Sequence, residues 1–265
     1  MDSAIFKNKL TYLLLGYYIL LVIWWMKIFF TGEKETGENF FYGFAYAIIA
    51  LIGGVNGLWI SRRWGGFKSQ IGKGISFLSL GLLGICFGQF VWSYYNFVLH
   101  VEVPYPSLAD VGYFSIIPFY SLGMYYFAMA SGAKSSLQKL QGKLITLLIP
   151  LVLLIITYLI LLKNVTPDFS NPIKLFLDYG SPFGEAIAIS IGILAFLLSR
   201  NTLGGSMRSR ILFVIFALIF EFATGMTFLF QAGTGQYYNA GPVDLMWTTS
   251  FTIMSLGLIA FRNYD

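Results

Sequence analysis

The sequence predicts an all-α integral membrane protein with eight transmembrane helices. Of its 265 residues, 57% are hydrophobic and 11% are charged, and the mean hydropathy is +0.72. Soluble globular chains are about 45–50% apolar and about 25% charged, so this composition excludes a soluble protein. A transmembrane β-barrel would alternate apolar and polar residues, whereas runs such as 144–156 are apolar all round, which favours helices.

Eight apolar segments have the length that crosses a bilayer, about 20 residues. They lie near residues 10–30, 40–61, 74–99, 111–130, 144–162, 175–198, 211–231 and 243–261, and we number them as spans one to eight. The first span follows a short basic segment, as a signal peptide does. It is about 20 residues long and has no small-residue cleavage site after it, so we expect it to be retained as an anchor.

The charged residues predict the orientation, because Lys and Arg accumulate on the cytoplasmic side. With the N-terminus inside, the cytoplasmic cations are Lys7, Lys9, Arg62, Arg63, Lys68, Lys73, Lys134, Lys139, Lys143, Arg200, Arg208, Arg210 and Arg262. The outer cations are Lys27, Lys34, Lys163 and Lys174. The acids divide the opposite way, with Asp2 and Asp265 inside and Glu33, Glu35, Glu38, Glu102, Asp110, Asp168, Asp178 and Asp244 outside. We therefore expect both termini to be cytoplasmic.

An internal duplication is indicated by two matches within the chain. The pattern of Ala109-Asp110, Tyr113 and 121–124 recurs without a gap as Val243-Asp244, Trp247 and 255–258, at an offset of 134 residues. A second, looser match relates Tyr42-Gly43, Ser61-Arg62 and Gly65-Gly66 to Tyr179-Gly180, Ser199-Arg200 and Gly204-Gly205. The chain thus reads as two four-helix repeats, 1–132 and 133–265. Because four is even, both repeats have the same membrane orientation, and their interface is the natural place for a cavity.

Composition also limits the chemistry. A single cysteine, Cys86, and a single histidine, His100, exclude a disulfide framework and the multi-histidine sites of membrane metalloenzymes. The sequence has no phosphate-binding loop, esterase or zinc-protease motif and no mid-span lysine for a retinal, so we expect no metal and no cofactor. The net charge of +5 agrees with the positive-inside rule, and we expect no nucleic-acid partner.

Two acids, Asp110 and Asp244, open the fourth and eighth spans. One interpretation is helix capping, since Ser107 and Asp110 have the spacing of a capping box. The other is that the two repeat-related carboxylates point into one outward-facing pocket that attracts a cation or an amine. Aromatic residues surround both positions: Trp92, Tyr94, Tyr95, Tyr105, Tyr113, Phe114, Tyr237, Tyr238 and Trp247. They suit either an interfacial aromatic belt or a ligand cage.

Two further acids, Glu185 in the sixth span and Glu221 in the seventh, lie near the middle of apolar segments. An ionised group there costs at least a few kcal/mol, which makes such acids functional candidates. They are either neutral carboxyls hydrogen-bonded to a neighbour such as Gln89 or Asn56, or a proton-linked switch or cation site. Neither has an acidic counterpart in the other repeat.

The segment Val103-Pro-Tyr-Pro-Ser-Leu-Ala-Asp-Val-Gly-Tyr-Phe-Ser-Ile-Ile-Pro-Phe-Tyr-Ser-Leu-Gly-Met124 resembles a signature of the multi-span N-terminal regions of bacterial signalling proteins with a C-terminal diguanylate cyclase (GGDEF) domain. The element around Asp244 and Trp247 is similar to their second, weaker signature. The resemblance implies a membrane sensory module of the bacterial inner membrane. The chain departs from that pattern, because it ends four residues after the eighth span, so we expect signals to pass to a separate cytoplasmic partner.

Three hypotheses remain. The first is a sensory or ligand-binding module with an outward-facing pocket between the third, fourth, seventh and eighth spans, for a small-molecule, amine or lipid ligand. Its expected ligand-binding residues are Asp110, Asp244, Tyr113, Trp247, Trp92 and Tyr95, with Glu185, Glu221 and Gln89 as the mid-membrane polar residues. The second is a proton- or cation-coupled secondary transporter that uses Glu185 and Glu221. The third, a lipid enzyme dependent on His100, has the fewest usable acid–base groups.

Overall fold

The computed structural model describes residues 6, 8–163, 166–199 and 205–262. Five residues used in the sequence argument, namely Asp2, Lys7, Arg200, Gly204 and Asp265, lie outside this part of the chain. Within the described part the regular structure is entirely helical. This agrees with the predicted fold class.

Eight long helices and one short helix follow each other along the described chain. They are α1 (Lys9–Thr31), α2 (Gly37–Arg63), α3 (Gln70–Tyr94), α4 (Leu108–Ala130), α5 (Ala133–Leu137), α6 (Leu140–Thr157), α7 (Pro172–Ser199), α8 (Gly205–Gly233) and α9 (Pro242–Ile259). Short π-helical segments, Tyr95–Leu99 and Tyr158–Leu162, extend α3 and α6. Each long helix covers one predicted span.

Six of these helices, α1, α2, α3, α6, α7 and α8, are long and apolar enough to cross a membrane. The protein is therefore membrane-embedded, and its composition supports six spans among the described helices rather than all eight predicted ones. Helices α4 and α9 are more polar. α9 is 18 residues long and carries Asp244 together with Thr248, Thr249, Ser250, Thr252 and Ser255, while α4 carries Asp110, four tyrosines and Pro118.

Polar residues at the helix starts explain where several helices begin. The side chains of Asn8, Thr36, Ser69 and Ser107 each accept a hydrogen bond from a backbone N–H in the first turn of α1, α2, α3 and α4. These bonds satisfy donors that the helix itself leaves unpaired. Pro242 occupies the first turn of α9, where its missing N–H costs nothing.

Six helices form a closed ring in which each packs against the next, in the order α2, α3, α4, α7, α8 and α9, with α9 returning to α2. The other two long helices flank this ring. α1 packs against α2 and α9, while α6 packs against α7 and its π-helical extension reaches α8. Most large side chains of α1 and α6, such as Leu20 and Leu147, are exposed. In a bilayer these apolar surfaces face the lipid chains.

The two ends of the bundle differ in charge. At one end, which we call the basic end, Arg262 donates a hydrogen bond to Asn8 and the indole of Trp64 donates to the carbonyl of Phe261. Helices α1, α3, α6 and α8 start there. At the opposite, acidic end lie the described acids other than Glu185 and Glu221. The described cations at the acidic end are Lys27, Lys34, Lys163 and Lys174.

Candidate functional site

The carboxylates of Asp110 and Asp244 occupy the same position, the third residue, of α4 and α9. Asp110 forms the predicted capping box: its Oδ2 accepts a hydrogen bond from the backbone nitrogen of Ser107 at 2.6 Å. Asp244 reaches back in the same way, and its Oδ2 accepts from the backbone nitrogen of Ala240 at 2.7 Å. The capping interpretation is therefore confirmed for Asp110, and Asp244 stabilises its own helix start through the preceding loop.

The two acids differ in their surroundings. Asp110 is half-buried, whereas Asp244 is 1% exposed and also accepts a hydrogen bond from the Tyr237 hydroxyl at 3.1 Å. Burial and the nearby Asp244 carboxylate raise the pKa of the loop residue Tyr237 well above its ordinary value. Tyr237 thus stays protonated and donates to Asp244 at physiological pH.

Asp244 lies beside a group of tyrosines that come from both halves of the chain. We call Tyr42, Tyr46, Tyr113 and Tyr237, with Gln89 and Asp244, the tyrosine cluster. The Tyr113 hydroxyl donates to Gln89 Oε1 at 2.8 Å, and Tyr42 and Thr248 share a hydrogen bond of 3.0 Å. The Tyr42 and Tyr46 rings meet edge to face at 5.8 Å.

Electrostatic interactions connect this cluster across the ring of helices. Asp244 is close enough to interact with Tyr42, Tyr46 and Tyr113, and Asp110 also interacts with Tyr113. Tyr113 of α4 thus interacts with both Asp110 and Asp244. The structure brings together five of the residues singled out from the sequence: Asp110, Asp244, Tyr113, Tyr237 and Gln89.

The other aromatic residues expected to bind the ligand, Trp247, Trp92 and Tyr95, are not members of this cluster. Trp247 stacks on Phe251 at 5.7 Å, and Phe251 in turn meets Tyr46 at 5.9 Å. Trp92 packs against Phe40, and Tyr95 begins the π-helical segment after α3. The exposed His100, on which a lipid enzyme would depend, follows that segment with a backbone φ of 53°.

A second polar group, the glutamate cluster, lies halfway along α4, α7, α8 and α9. It consists of Glu185, Glu221, Tyr120 and Ser250. The Ser250 hydroxyl donates a short hydrogen bond to Glu221, which is 9% exposed. Glu221 is close enough to interact electrostatically with both Glu185 and Tyr120. The Tyr120 hydroxyl and Glu185 Oε2 are buried with no hydrogen-bond partner within the described part of the chain.

This geometry corrects the expected pairing of the two glutamates. Gln89 accepts a hydrogen bond from Tyr113, and the Asn56 amide nitrogen is buried with no hydrogen-bond partner among the described residues. The hydrogen-bond partner of Glu221 is instead Ser250. Gly225 leaves the space that Glu185 occupies, because a Cβ there would collide with its carboxylate. The sequence did not predict this arrangement, because the partners lie on different helices and are far apart in the chain.

The sequence analysis does not identify several cluster residues as site residues, namely Tyr42, Tyr46, Tyr120 and Ser250. The spacing of the tyrosines in the sequence contains a signal for them. Tyr42 and Tyr46 are four residues apart, and Tyr113 and Tyr120 are seven apart, so each pair shares one helix face. Hydroxyl-bearing rings repeated on one face of an apolar span indicate a polar interior rather than a lipid-facing belt.

Loops of the two halves close the acidic end above Asp244. Both carboxylate oxygens of Glu35 accept from Asn239, one from its backbone nitrogen at 3.0 Å and the other from its Nδ2 at 2.7 Å. Asn39 donates to the carbonyl of Asn239 at 2.9 Å, and the Lys34 ammonium lies 4.2 Å from the centre of the Tyr238 ring. The described part holds no group of three or more His, Cys, Asp or Glu side chains placed to bind a metal ion.

The fold and this site define a membrane-embedded helical protein whose interior carries two polar clusters. The chain matches no known protein family, no curated protein and no solved structure.

Proposed function

We propose that the chain is an eight-span membrane protein built from two four-helix repeats. The starts of α2 and α7, and of α3 and α8, are 135 residues apart, and those of α4 and α9 are 134 apart. Exchanging α2, α3 and α4 with α7, α8 and α9 maps the ring of helices onto itself, as a two-fold axis along the membrane normal requires. Helices α4 and α9 lie in this ring between apolar spans, which supports their crossing the bilayer as well.

The orientation follows from the charges at the two ends. The basic end holds eleven described cations: Lys9, Arg62, Arg63, Lys68, Lys73, Lys134, Lys139, Lys143, Arg208, Arg210 and Arg262. By the positive-inside rule the basic end is cytoplasmic. Both termini of the chain then lie on the cytoplasmic side of the bacterial inner membrane. The tyrosine cluster then lies toward the outer face.

The function that we propose is that of a sensory module that binds a small organic cation, such as an amine, between its halves. The observation that carries this proposal is that Asp244 lies among tyrosine rings supplied by both halves. A carboxylate attracts the charge of an amine, and tyrosine faces stabilise a cation by cation–π interaction. The loop contacts of Glu35 and Lys34 close the site, so these contacts must break when the ligand binds. Ligand binding is thereby coupled to the packing of the two halves against each other.

The resemblance of 103–124 to the sensory regions of diguanylate cyclases supports the same role. In this proposal the ligand changes the relative position of the two halves, and a separate cytoplasmic partner reads that change at the basic end. In this proposal Asp244 attracts the ligand, Tyr113 is held by its hydrogen bond to Gln89, and Asp110, Trp247, Trp92 and Tyr95 are the further expected ligand-binding residues.

Native mass spectrometry of the gently extracted protein tests this proposal. We expect a discrete small-molecule adduct in the wild-type protein and at least about tenfold weaker retention in Asp244→Asn, since a lost charged hydrogen bond or ion pair is worth about 1.5–3 kcal/mol. Tyr113→Phe removes the bond to Gln89 and weakens retention less. The matched control is Tyr125→Phe on the same helix, because Tyr125 is exposed and outside the cluster.

An adduct that survives Asp244→Asn, or that is lost equally in Tyr125→Phe, would contradict the assignment of the site. A wild-type protein without any adduct would remove the support for a tightly bound ligand and favour the transporter described next.

A secondary transporter is the second candidate, and the glutamate cluster favours it. Glu185 Oε2 and the Tyr120 hydroxyl are buried at mid-membrane depth with no hydrogen-bond partner in the described residues, next to Glu221. Unsatisfied polar groups in a membrane interior are costly, and transporters use such groups to bind protons or coupling ions.

Proton flux in proteoliposomes separates the two candidates. If the chain is a transporter, substrate-driven acidification should occur in the wild-type protein and fall at least about tenfold in Glu221→Gln, which cannot exchange a proton. Glu102→Gln, an exposed acid in the loop after α3, is the control and should retain flux. Binding without flux in any of these proteins would support the sensory module.

A further inference from the structure

An apolar groove runs along the side of α2 in the half nearest the basic end. It has a volume of about 580 Å³ and is lined by Leu51, Ile52, Val55, Asn56 and Trp59. Val55 and Trp59 are largely exposed, although they lie in a helix long and apolar enough to span the membrane. The groove therefore opens toward the lipid rather than toward the interior of the ring, and it is separate from both polar clusters.

Asn56 gives this groove one polar group. Its amide nitrogen is buried and has no hydrogen-bond partner in the described part of the chain. Rotating the Asn56 amide by half a turn exchanges the positions of its nitrogen and oxygen. Because the nitrogen has no partner, this rotation breaks no hydrogen bond at the nitrogen. Such a turn presents a donor to the groove, where an ester carbonyl of a lipid would accept it.

Positive charge lies at the end of the groove. The Arg63 guanidinium is 4.1 Å from the centre of the Trp59 ring, and that of Arg262 is 5.1 Å from it. The bond from Trp64 to the carbonyl of Phe261 fixes the end of α2 beside the end of α9 and so brings these two arginines together. Trp59 is three residues from Asn56, a rise of about 4.5 Å along the helix.

We propose that this groove binds an anionic phospholipid. Its phosphate lies at Arg63 and Arg262, its glycerol ester at Asn56, and one acyl chain along Leu51, Ile52 and Val55. The short rise between Trp59 and Asn56 matches the small separation of the phosphate and the ester groups in a phospholipid. The two cations beside Trp59 complement a negative headgroup and strengthen its binding.

Lipid titration followed by native mass spectrometry tests this proposal, with dioleoyl phosphatidylglycerol and dioleoyl phosphatidylcholine as the two probes. We expect the first phosphatidylglycerol molecule that binds the protein to have about tenfold higher affinity than the first phosphatidylcholine molecule. Arg63→Gln should remove most of that preference, while Arg63→Lys should retain much of it because the charge is kept. Asn56→Leu should weaken both lipids, since both have the ester carbonyl.

Lys143→Gln is the matched control, because it removes a cation from the same end at the start of α6. Equal affinity of the wild-type protein for the two lipids would overturn the proposal, as would an equal loss of preference in Lys143→Gln and Arg63→Gln. Competition by millimolar inorganic phosphate would also overturn it in favour of a free-anion site. A preference that Arg63→Gln loses and Arg63→Lys keeps would also show that the result does not arise from misfolding of the arginine variant.

Discussion

Replacing Gly112 with alanine is expected to destabilise the protein by about 3 kcal/mol, the upper part of the range for overpacked sites. A Cβ at this position would lie 2.6 Å from both the Gly84 carbonyl oxygen and the Gly88 Cα, and it would also collide with the Gly88 nitrogen. These are backbone atoms of α3, which cannot rotate away as a side chain can. The midpoint of thermal unfolding in detergent, followed by loss of the monodisperse peak, measures the effect.

Gly16→Ala is the matched control for this substitution. Gly16 is also within a helix, but a Cβ there meets no atom within 4 Å. We expect this variant to be neutral or slightly stabilising, since alanine favours a helix over glycine by about 1 kcal/mol. Equal midpoints for the two variants would mean that α3 and α4 do not approach as closely as their backbones indicate.

The same substitution has a consequence for the tyrosine cluster. Tyr113 follows Gly112 on α4, and its bond to Gln89 crosses the interface that the glycines of α3 and α4 make close. Separating the two helices by even a few tenths of an ångström lengthens this bond. In the proposed amine-binding role, Gly112→Ala is therefore expected to weaken ligand retention together with stability, whereas Tyr113→Phe weakens retention with the interface intact.

Asp244→Ala is expected to destabilise the protein by about 2–4 kcal/mol, because it leaves two donors without an acceptor, the Ala240 N–H and the Tyr237 hydroxyl. The equivalent substitution in the other half, Asp110→Ala, should cost about 1 kcal/mol, the usual value of a helix cap. Asp110 is half-buried, so water replaces part of what is lost there. Parallel thermal unfolding of the two variants measures the difference.

Asn variants refine this comparison. Asp244→Asn keeps one acceptor oxygen and should be less destabilising than Asp244→Ala, which allows the ligand measurements on a folded protein. If the two alanine variants unfold at the same temperature, Asp244 has no structural role beyond capping, and its burial among the tyrosines does not contribute to stability.

Several features could be predicted from the sequence because they depend on local patterns. Apolar runs of bilayer length located all eight long helices, and Ser107 with Asp110 indicated the start of α4. Composition was less decisive for α4 and α9, where tyrosines, serines and threonines lower the apolar character. Several of those polar residues, such as Tyr120, Thr248 and Ser250, are buried against other helices of the ring, and a hydropathy pattern does not reveal such a neighbour.

The candidate site shows the same limit. The sequence pattern singles out Asp244 and Tyr113, but one of its two interpretations pairs Glu221 with a neighbour such as Gln89 or Asn56, whereas the partner is Ser250. Pairing across helices depends on which faces meet, and this is decided by close packing at glycines such as Gly112 and Gly225. Such contacts join residues that are far apart in the chain, so no local sequence pattern predicts them.

The sequence by itself determined that the chain is helical and embedded in a membrane, and where its long helices lie, because each of these properties follows from the solvation of residues that are close in the chain. Only the tertiary structure decided that α2, α3, α4, α7, α8 and α9 close into a ring, that Asp244 is buried among tyrosines of both halves, and that Glu221 pairs with Ser250. These features depend on the fit of side chains between helices, and that fit exists only when the whole bundle is assembled.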